Sequence, residues 1–197
     1  LFWDNVSGDN IVDLTSSSNY PLMPDRAEIY TRLEEPNEVN LSNYGTRIRG
    51  YIYIPQSGDY IFNVTGNNET AFYLGSGETT DPNTDLVAHV PDWTDHYEHY
   101  KYASQTDTVT LTGDTFYSIE MLHKEKSGSD HFYIFWKTPF ARDTNWHIID
   151  GSFLYHYACE LACIPQGTPC DDGNSQTFND QYDANCNCVG TPCSDPE

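Results

Sequence analysis

The stretch from Thr46 to Ile54, TRIRGYIYI, alternates in character. Ile48, Ile52 and Ile54 fall on one face, with Arg47, Arg49, Tyr51 and Tyr53 on the other. A period of two is that of a strand with one buried face, and a helix would scatter the same residues around its axis. PQSGDY (Pro55 to Tyr60) reads as a turn, YIFNV as the return strand, and AFYL as a further strand after a polar knuckle. DTVTL (Asp107 to Leu111), TGD and TFYSIEML (Thr115 to Leu122) read as another hairpin. HFYIFW (His131 to Trp136) and SFLYHY (Ser152 to Tyr157) complete the set. Strands this short, punctuated by Gly, Asn and Pro, predict an all-β, antiparallel sandwich or barrel over residues 1–158 without a long helix. Residues 1–45 are loop-rich.

Residues 159–197 follow a different rule. All 6 cysteines, Cys159, Cys163, Cys170, Cys186, Cys188 and Cys193, lie there, and none precedes them. An even count in a short acidic segment without hydrophobic periodicity reads as a disulfide framework, and hence as a small irregular disulfide-rich lobe. Zinc is the rival, suggested by Cys186-Asn-Cys188, but neither a C-x-x-C pair nor a correctly spaced His accompanies it. The framework places the chain outside the cell, secreted or at the cell surface. The sequons at Asn5, Asn40, Asn63 and Asn68 point the same way. No signal peptide is visible, so Leu1 reads as a mature or an artificially chosen start.

Lys and Arg total 9 against 30 Asp and Glu, a net charge of -21. Such a field repels phosphate backbones and anionic lipid, which argues against nucleic acid as a partner. No apolar run is long enough to span a bilayer, so membrane insertion is not expected. Cations are the natural counter-species. In the cysteine-rich segment Asp172, Asn174, Gln176, Asp180 and Asp183 take the side-chain offsets of a twelve-residue calcium loop. Thr177 replaces the sharp-turn glycine and Asp183 the bidentate glutamate, so an EF-hand is rejected, while an irregular disulfide-clamped calcium loop stays open.

YGTRIRGYIYIPQSGDYIFNVTGNNETAFYLGSG, VPDWTDHYEHYKYASQ, VTLTGDTFYSIEMLHKE, GSDHFYIFWKTP and IIDGSFLYHY follow one another in an order that resembles the PA14 family, over about residues 1–158. The resemblance implies a two-sheet β-sandwich that often binds carbohydrate, found as a module of secreted toxins, glycosidases and adhesins. It divides the chain into a PA14-like domain, 1–158, and a cysteine-rich acidic segment, 159–197. That segment resembles cysteine-rich repeats of secreted bacterial proteins, which implies that the chain is part of a longer multidomain protein.

In the adhesin branch, two consecutive aspartates joined by a cis peptide chelate a calcium ion that coordinates sugar hydroxyls. Here the aligned knuckle holds Asn67 and Asn68. Calcium accepts amide oxygens, but its affinity rises with ligand charge. Three readings of the pair stay open: a turn that tolerates left-handed backbone, a glycan on Asn68, or a weakened calcium site. The last would be completed by the loop HKEKSGSDHF (His123 to Phe132), which matches the family's second calcium loop in position and offers Glu125, Ser127, Ser129 and Asp130 as donors. Trp93, Tyr97 and Tyr100 are the candidates for stacking on sugar rings, against a plainer role in packing.

His96 and His99 have an H-x-x-H spacing, but on extended chain they diverge, so zinc is the lesser reading. There is no nucleophile elbow, Walker loop or H-E-x-x-H. Glu34-Glu35 could in principle serve glycoside hydrolysis, but adjacent strand residues diverge and Pro36 suggests a turn. The expected function is thus an extracellular, non-enzymatic carbohydrate-binding module, calcium-assisted, acting in adhesion or in targeting a larger secreted protein to glycans. The alternative is an acidic calcium-binding spacer or matrix component that recognises no sugar.

Overall fold

The computed structural model describes residues 1–35, 41–75, 84–141, 144–155, 177–182 and 188–192. The chain divides into two compact units, Leu1–His156 and Tyr157–Glu197. The first unit opens with β1 (Phe2–Trp3), a five-residue helix α1 (Ile11–Thr15) and β2 (Glu34–Glu35). Then come β3 (Tyr44–Ile54), β4 (Gly58–Asn67), β5 (Thr70–Gly75), β6 (Thr84–Val90), β7 (Thr106–Leu111), β8 (Thr115–Glu125) and β9 (His131–Lys137). Two short strands, β10 (His147–Ile148) and β11 (Leu154–Tyr155), close the unit.

These strands make the two antiparallel sheets of a PA14-like sandwich. One runs β1-β3-β8-β5-β6, with β11 also on β3; the other runs β10-β9-β4-β7, with β2 also on β9. The alternation in β3 does what its pattern demands: Ile52 and Ile54 are fully buried, while Arg47 and Arg49 reach outward to Glu120 at 2.7 and 3.4 Å. Between the sheets Phe62 of β4 meets Phe72 of β5 at 5.4 Å between ring centroids, with Ile134, Trp136 and Met121 packed around them.

Three expectations fail on topology. β4 does not return along β3 after the PQSGDY turn but lies in the other sheet, paired with β7 and β9. β7 and β8 do not form a hairpin: β7 pairs with β4, whereas β8 pairs with β3 and β5 in the other sheet. The TGD turn therefore carries the chain across the rim of the sandwich. Its chemistry is that of a hairpin turn, with Asp114 at φ 52, so local residues could not tell the two apart. Glu34-Glu35 is no turn but the strand β2, opposite Tyr133 and Phe132. Its acids are held by Arg32 at 2.7 Å and by the Tyr30 hydroxyl at 2.8 Å.

The amino-terminal loops pack onto the first sheet through α1, which buries Ile11 and Leu14. Gly45 lets this happen, since a Cβ there would come within 2.5 Å of Leu14 Cδ1. In the second unit β12 (Thr177–Tyr182) pairs antiparallel with β13 (Cys188–Pro192), placing Phe178 opposite Thr191 and Gln181 opposite Val189. Cys188 begins β13, but the pairing of the six cysteines falls outside the described residues, as do Cys159, Cys163, Cys170, Cys186 and Cys193.

The inter-sheet core sets the stability of the first unit. Phe72→Ala removes a fully buried ring and should cost about 3–5 kcal/mol in urea unfolding. Leu22→Ala, at a side chain 83% exposed, should change stability by less than about 0.5 kcal/mol. Equal losses would show that the inter-sheet layer does not dominate.

Candidate functional site

At one rim of the sandwich the chain leaves β4 at Asn67 and enters β5 at Thr70, so the knuckle crosses from one sheet to the other. The Asn67–Asn68 peptide is cis. Gly66 precedes it, and a Cβ there would collide with Thr70 Oγ1. Backbone bonds fasten the crossing to the end of β8: Asn68 N–H donates to Lys124 O at 3.2 Å, and Lys124 N–H to Glu69 O at 2.9 Å. Lys126 N–H donates to Asn68 Oδ1 at 2.9 Å. Glu69 acts as a brace, accepting from Ile11 N–H at 2.6 Å and meeting His89 Nε2 at 2.7 Å.

The loop between β8 and β9 lies beside the knuckle, with Lys126 N–H bonded to Asn68 Oδ1. Glu125, the last residue of β8, and Asp130, just before β9, are both fully buried. The Tyr44 hydroxyl donates to Asp130 Oδ2 at 3.0 Å, and burial together with that carboxylate pushes the phenol far above its ordinary range. Neither carboxylate oxygen of Glu125 accepts a hydrogen bond of good geometry: the Asn68 N–H lies close by but donates to Lys124 O. Burial and, after it, the Asp130 charge push its carboxyl up to about 7, opposed by Lys124 and by the Asn68 N–H. Lys124 gives its ammonium to Glu125 O at 2.6 Å, the backbone oxygen, and not to the carboxylate.

Asn68, Glu125 and Asp130 thus converge on one buried corner, with Asn67 one peptide away. Ser127 is exposed nearer the loop tip. A buried carboxylate with no well-placed donor is costly unless something neutralises it. A hard cation that takes carboxylate, carboxamide and backbone oxygens fits this donor set. Among the described residues no group of three or more His, Cys, Asp and Glu side chains forms a metal cluster. A cation here would therefore depend on amide and carbonyl oxygens as well as the two acids.

The β6–β7 loop completes the rim. Trp93 forms an isolated bridge to Asn67, and Thr94 N–H donates to Gly66 O at 2.8 Å. Trp93 is 41% exposed, with Lys101 Nζ 3.0 Å from its ring centroid. Tyr97 and Tyr100 follow on the same loop and are exposed, but only Trp93 is tied directly to the knuckle. His96 and His99 do not converge: His96 faces the Tyr133 hydroxyl at 3.0 Å, and His99 Nδ1 faces Asn63 Oδ1 at 2.8 Å. Asn63 is itself fully buried, which removes it as a glycosylation acceptor. Asn68, partly exposed, has its side-chain oxygen bonded inward.

In the second unit Asp180 lies on β12, while Asp172, Asn174 and Asp183 fall outside the described residues. Reading single residues missed Tyr44 and His123, which shape the corner from neighbouring strands. Tyr44 could have been found by pairing the β3 and β8 patterns in register, which sets it opposite Glu125.

Residues 44–137 match the GLEYA domain model. Among curated proteins, the mouse (Mus musculus) N-acetyl-beta-glucosaminyl-glycoprotein 4-beta-N-acetylgalactosaminyltransferase 1 is 30% identical over 177 residues, covering 83% of this chain and 17% of that protein. Among solved structures, an anti-sigma factor domain-containing protein from Clostridium clariflavum is similar at a TM-score of 0.53 and 16% identity, over 81% of this chain and 48% of that one. The epithelial adhesin 6 A domain from Candida glabrata, solved with Galb1-3GlcNAc, is similar at a TM-score of 0.45 and 16% identity, over 59% and 52%. The chain spans about half the length of each of these solved chains and a smaller part of the transferase.

His123, fully buried beneath the knuckle with Nδ1 2.9 Å from Thr70 Oγ1, offers a test of the corner. Burial, then His131 and Lys124, lowers its pKa to about 3. The folded value lies below the unfolded one near 6.5, so the unfolded chain takes up a proton that the native state refuses. This contribution is intact above about pH 6.5 and is lost as pH falls toward 3, at about 1.4 kcal/mol per unit. Urea titrations of wild type and His123→Asn across this window should show the variant losing less stability per pH unit. Parallel slopes would show that His123 is protonated in the folded state.

Proposed function

We propose, from the match of residues 44–137 to the GLEYA domain model, that the chain is an extracellular carbohydrate-binding module, calcium-assisted, serving adhesion or the targeting of a larger secreted protein to glycans. The observation that carries the reading is the Glu125 carboxylate, fully buried and without a well-placed donor, beside buried Asp130 and the Asn67–Asn68 knuckle. That corner asks for a cation, and the rim residue beside it is a half-exposed tryptophan.

Asn67, Asn68, Glu125 and Asp130 would hold the ion, with Ser127 near the rim. Calcium supplies open coordination positions that sugar hydroxyls can take in place of water. Trp93 would stack on the C–H face of the same sugar, and Lys101 fixes it by covering one face of the indole and donating to the Trp93 backbone carbonyl oxygen at 2.8 Å. Glu125 and Asp130 bring the charge that two carboxamides do not. The role is read as binding without catalysis. The acid pair that could have suggested glycoside hydrolysis is engaged by Arg32 and Tyr30.

The test is a calcium titration by calorimetry joined to a glycan array run with and without EDTA. Affinity at the knuckle should lie near 10⁻⁴ to 10⁻³ M, roughly the extracellular-module range. Asn67→Asp with Asn68→Asp should tighten it, since added ligand charge stabilises the ion. Glu125→Gln should abolish calcium-dependent stabilisation while leaving the calcium-free protein at least as stable, because it removes a buried unpaired charge. Calcium binding with no glycan retained on the array would favour the acidic spacer instead. A Glu125→Gln protein that still gains full stability from calcium would remove the site altogether.

A further inference from the structure

The β6–β7 loop does more than reach the knuckle: it lays a second layer of rings along the outer face of β9. Phe132, Ile134 and Trp136 of this strand enter the core, so His131, Tyr133 and Phe135 point outward, yet all three are buried. The loop covers them ring by ring. His96 stacks on His131 with centroids 3.9 Å apart, Tyr97 lies on Tyr133 at 4.9 Å, and His99 stands edge-on to Phe135 at 4.7 Å. The row continues past His99 to Trp146, 5.4 Å away, whose Nε1 donates to the Tyr100 hydroxyl at 3.2 Å.

This layer is fixed below and open above. Asn63 Nδ2 donates to His99 O at 2.9 Å, and Gln105 Nε2 donates to both Glu98 O and Val64 O at 2.8 Å. Tyr97 holds φ 61, a left-handed conformation rare for a bulky side chain, of the kind that persists where the surroundings enforce it and that clusters at ligand clamps. Despite this anchoring Tyr97 is 54% and Tyr100 77% exposed. Large rings held rigidly in water give contact area at little entropic cost on binding.

The row is also long. His131 and Lys137 are six residues apart on one strand, which at about 3.3 Å per residue is roughly 20 Å. A pyranose is about as wide as one tyrosine ring, so this length seats several in succession. We propose that the row from Trp93 through Tyr97 to Tyr100 and Trp146 is a track for an extended neutral glycan chain, with the knuckle holding one sugar unit and the aromatic rings the following ones. This inference rests on the glycan-binding reading and adds the class of ligand. Charge selects a neutral chain. Asp92, Asp95 and Glu98 stand in the loop, and the nearby cations are engaged with rings, Lys101 over Trp93 and Lys137 Nζ 4.3 Å from the Trp146 centroid. An anionic polysaccharide would meet these acids and the overall charge of -21.

The test uses the full chain in calcium with ladders of gluco-, galacto-, manno- and xylo-oligosaccharides from one to six units, read by calorimetry. In at least one ladder, affinity should rise about tenfold or more between the monosaccharide and the longer members. Tyr100→Ala and Trp146→Ala should each flatten that rise while leaving monosaccharide affinity and calcium binding unchanged. Tyr100 is mostly exposed, so its truncation spares the fold, and a thermal melt checks this. A monosaccharide bound as tightly as its hexasaccharide overturns the track and leaves the knuckle reading intact, as does a length dependence that both variants retain. Binding to no member of any ladder overturns the glycan reading and the track together.

Discussion

Two carboxylates share the corner where β8 ends and β9 begins, and the architecture of the rim answers to them. Glu125 and Asp130 are both fully buried, in an environment where charge is costly unless matched. Asp130 has the Tyr44 hydroxyl, while Glu125 has no well-placed donor of its own and Lys124 turns its ammonium to a backbone oxygen instead. An ordinary structural acid does not look like this. Glu120 shows the contrast: similarly placed on the sheet, it is met by Arg47 and Arg49.

The sandwich makes such a corner possible because its chain crosses between sheets at the rim rather than closing a hairpin there. The knuckle joins β4 of one sheet to β5 of the other and is bonded across to β8 through Asn68, Glu69 and Lys124. Side chains from both layers can therefore point at one spot. The same crossing brings in Trp93, whose bridge to Asn67 ties the aromatic loop to the corner. Glu69, an unremarked acid in the sequence, holds the arrangement from behind through Ile11 and His89.

The strands were legible in the sequence because alternation leaves a period-two trace wherever one face is buried, as Ile52 and Ile54 show. Their pairing was not. The turn after β7 has the chemistry of a hairpin, and only the burial needs of the whole sandwich send β8 to the other sheet. Glu34-Glu35 hid as a strand because two acids beside a proline carry no apolar signal, and β2 is held instead by its register against β9. At the site, the knuckle and its facing loop could be named from the resemblance. That Glu125 lacks a well-placed donor depends on which way Lys124 folds, which no local pattern encodes. Trp146 was invisible for a similar reason, since its place beside Tyr100 is set by β10 pairing with β9.

The exchange of two acids for two carboxamides at the knuckle is best understood as a relocation of charge. Two adjacent carboxylates at positions 67 and 68 would face Glu125 and Asp130 across the same corner, on a chain that already carries a net charge of -21. Four acids around one ion overshoot its charge, and the surplus raises the cost of the ion-free state. With Asn67 and Asn68, the corner keeps oxygen donors on the knuckle and leaves two carboxylates on the opposite loop, enough to match a divalent cation in formal charge. Asn68 also does what an aspartate could do only with its charge: it accepts Lys126 N–H and so holds the loop in place. On the proposed calcium reading, the pair makes a balanced site, in which geometry would come from the amides and charge from the acids they face.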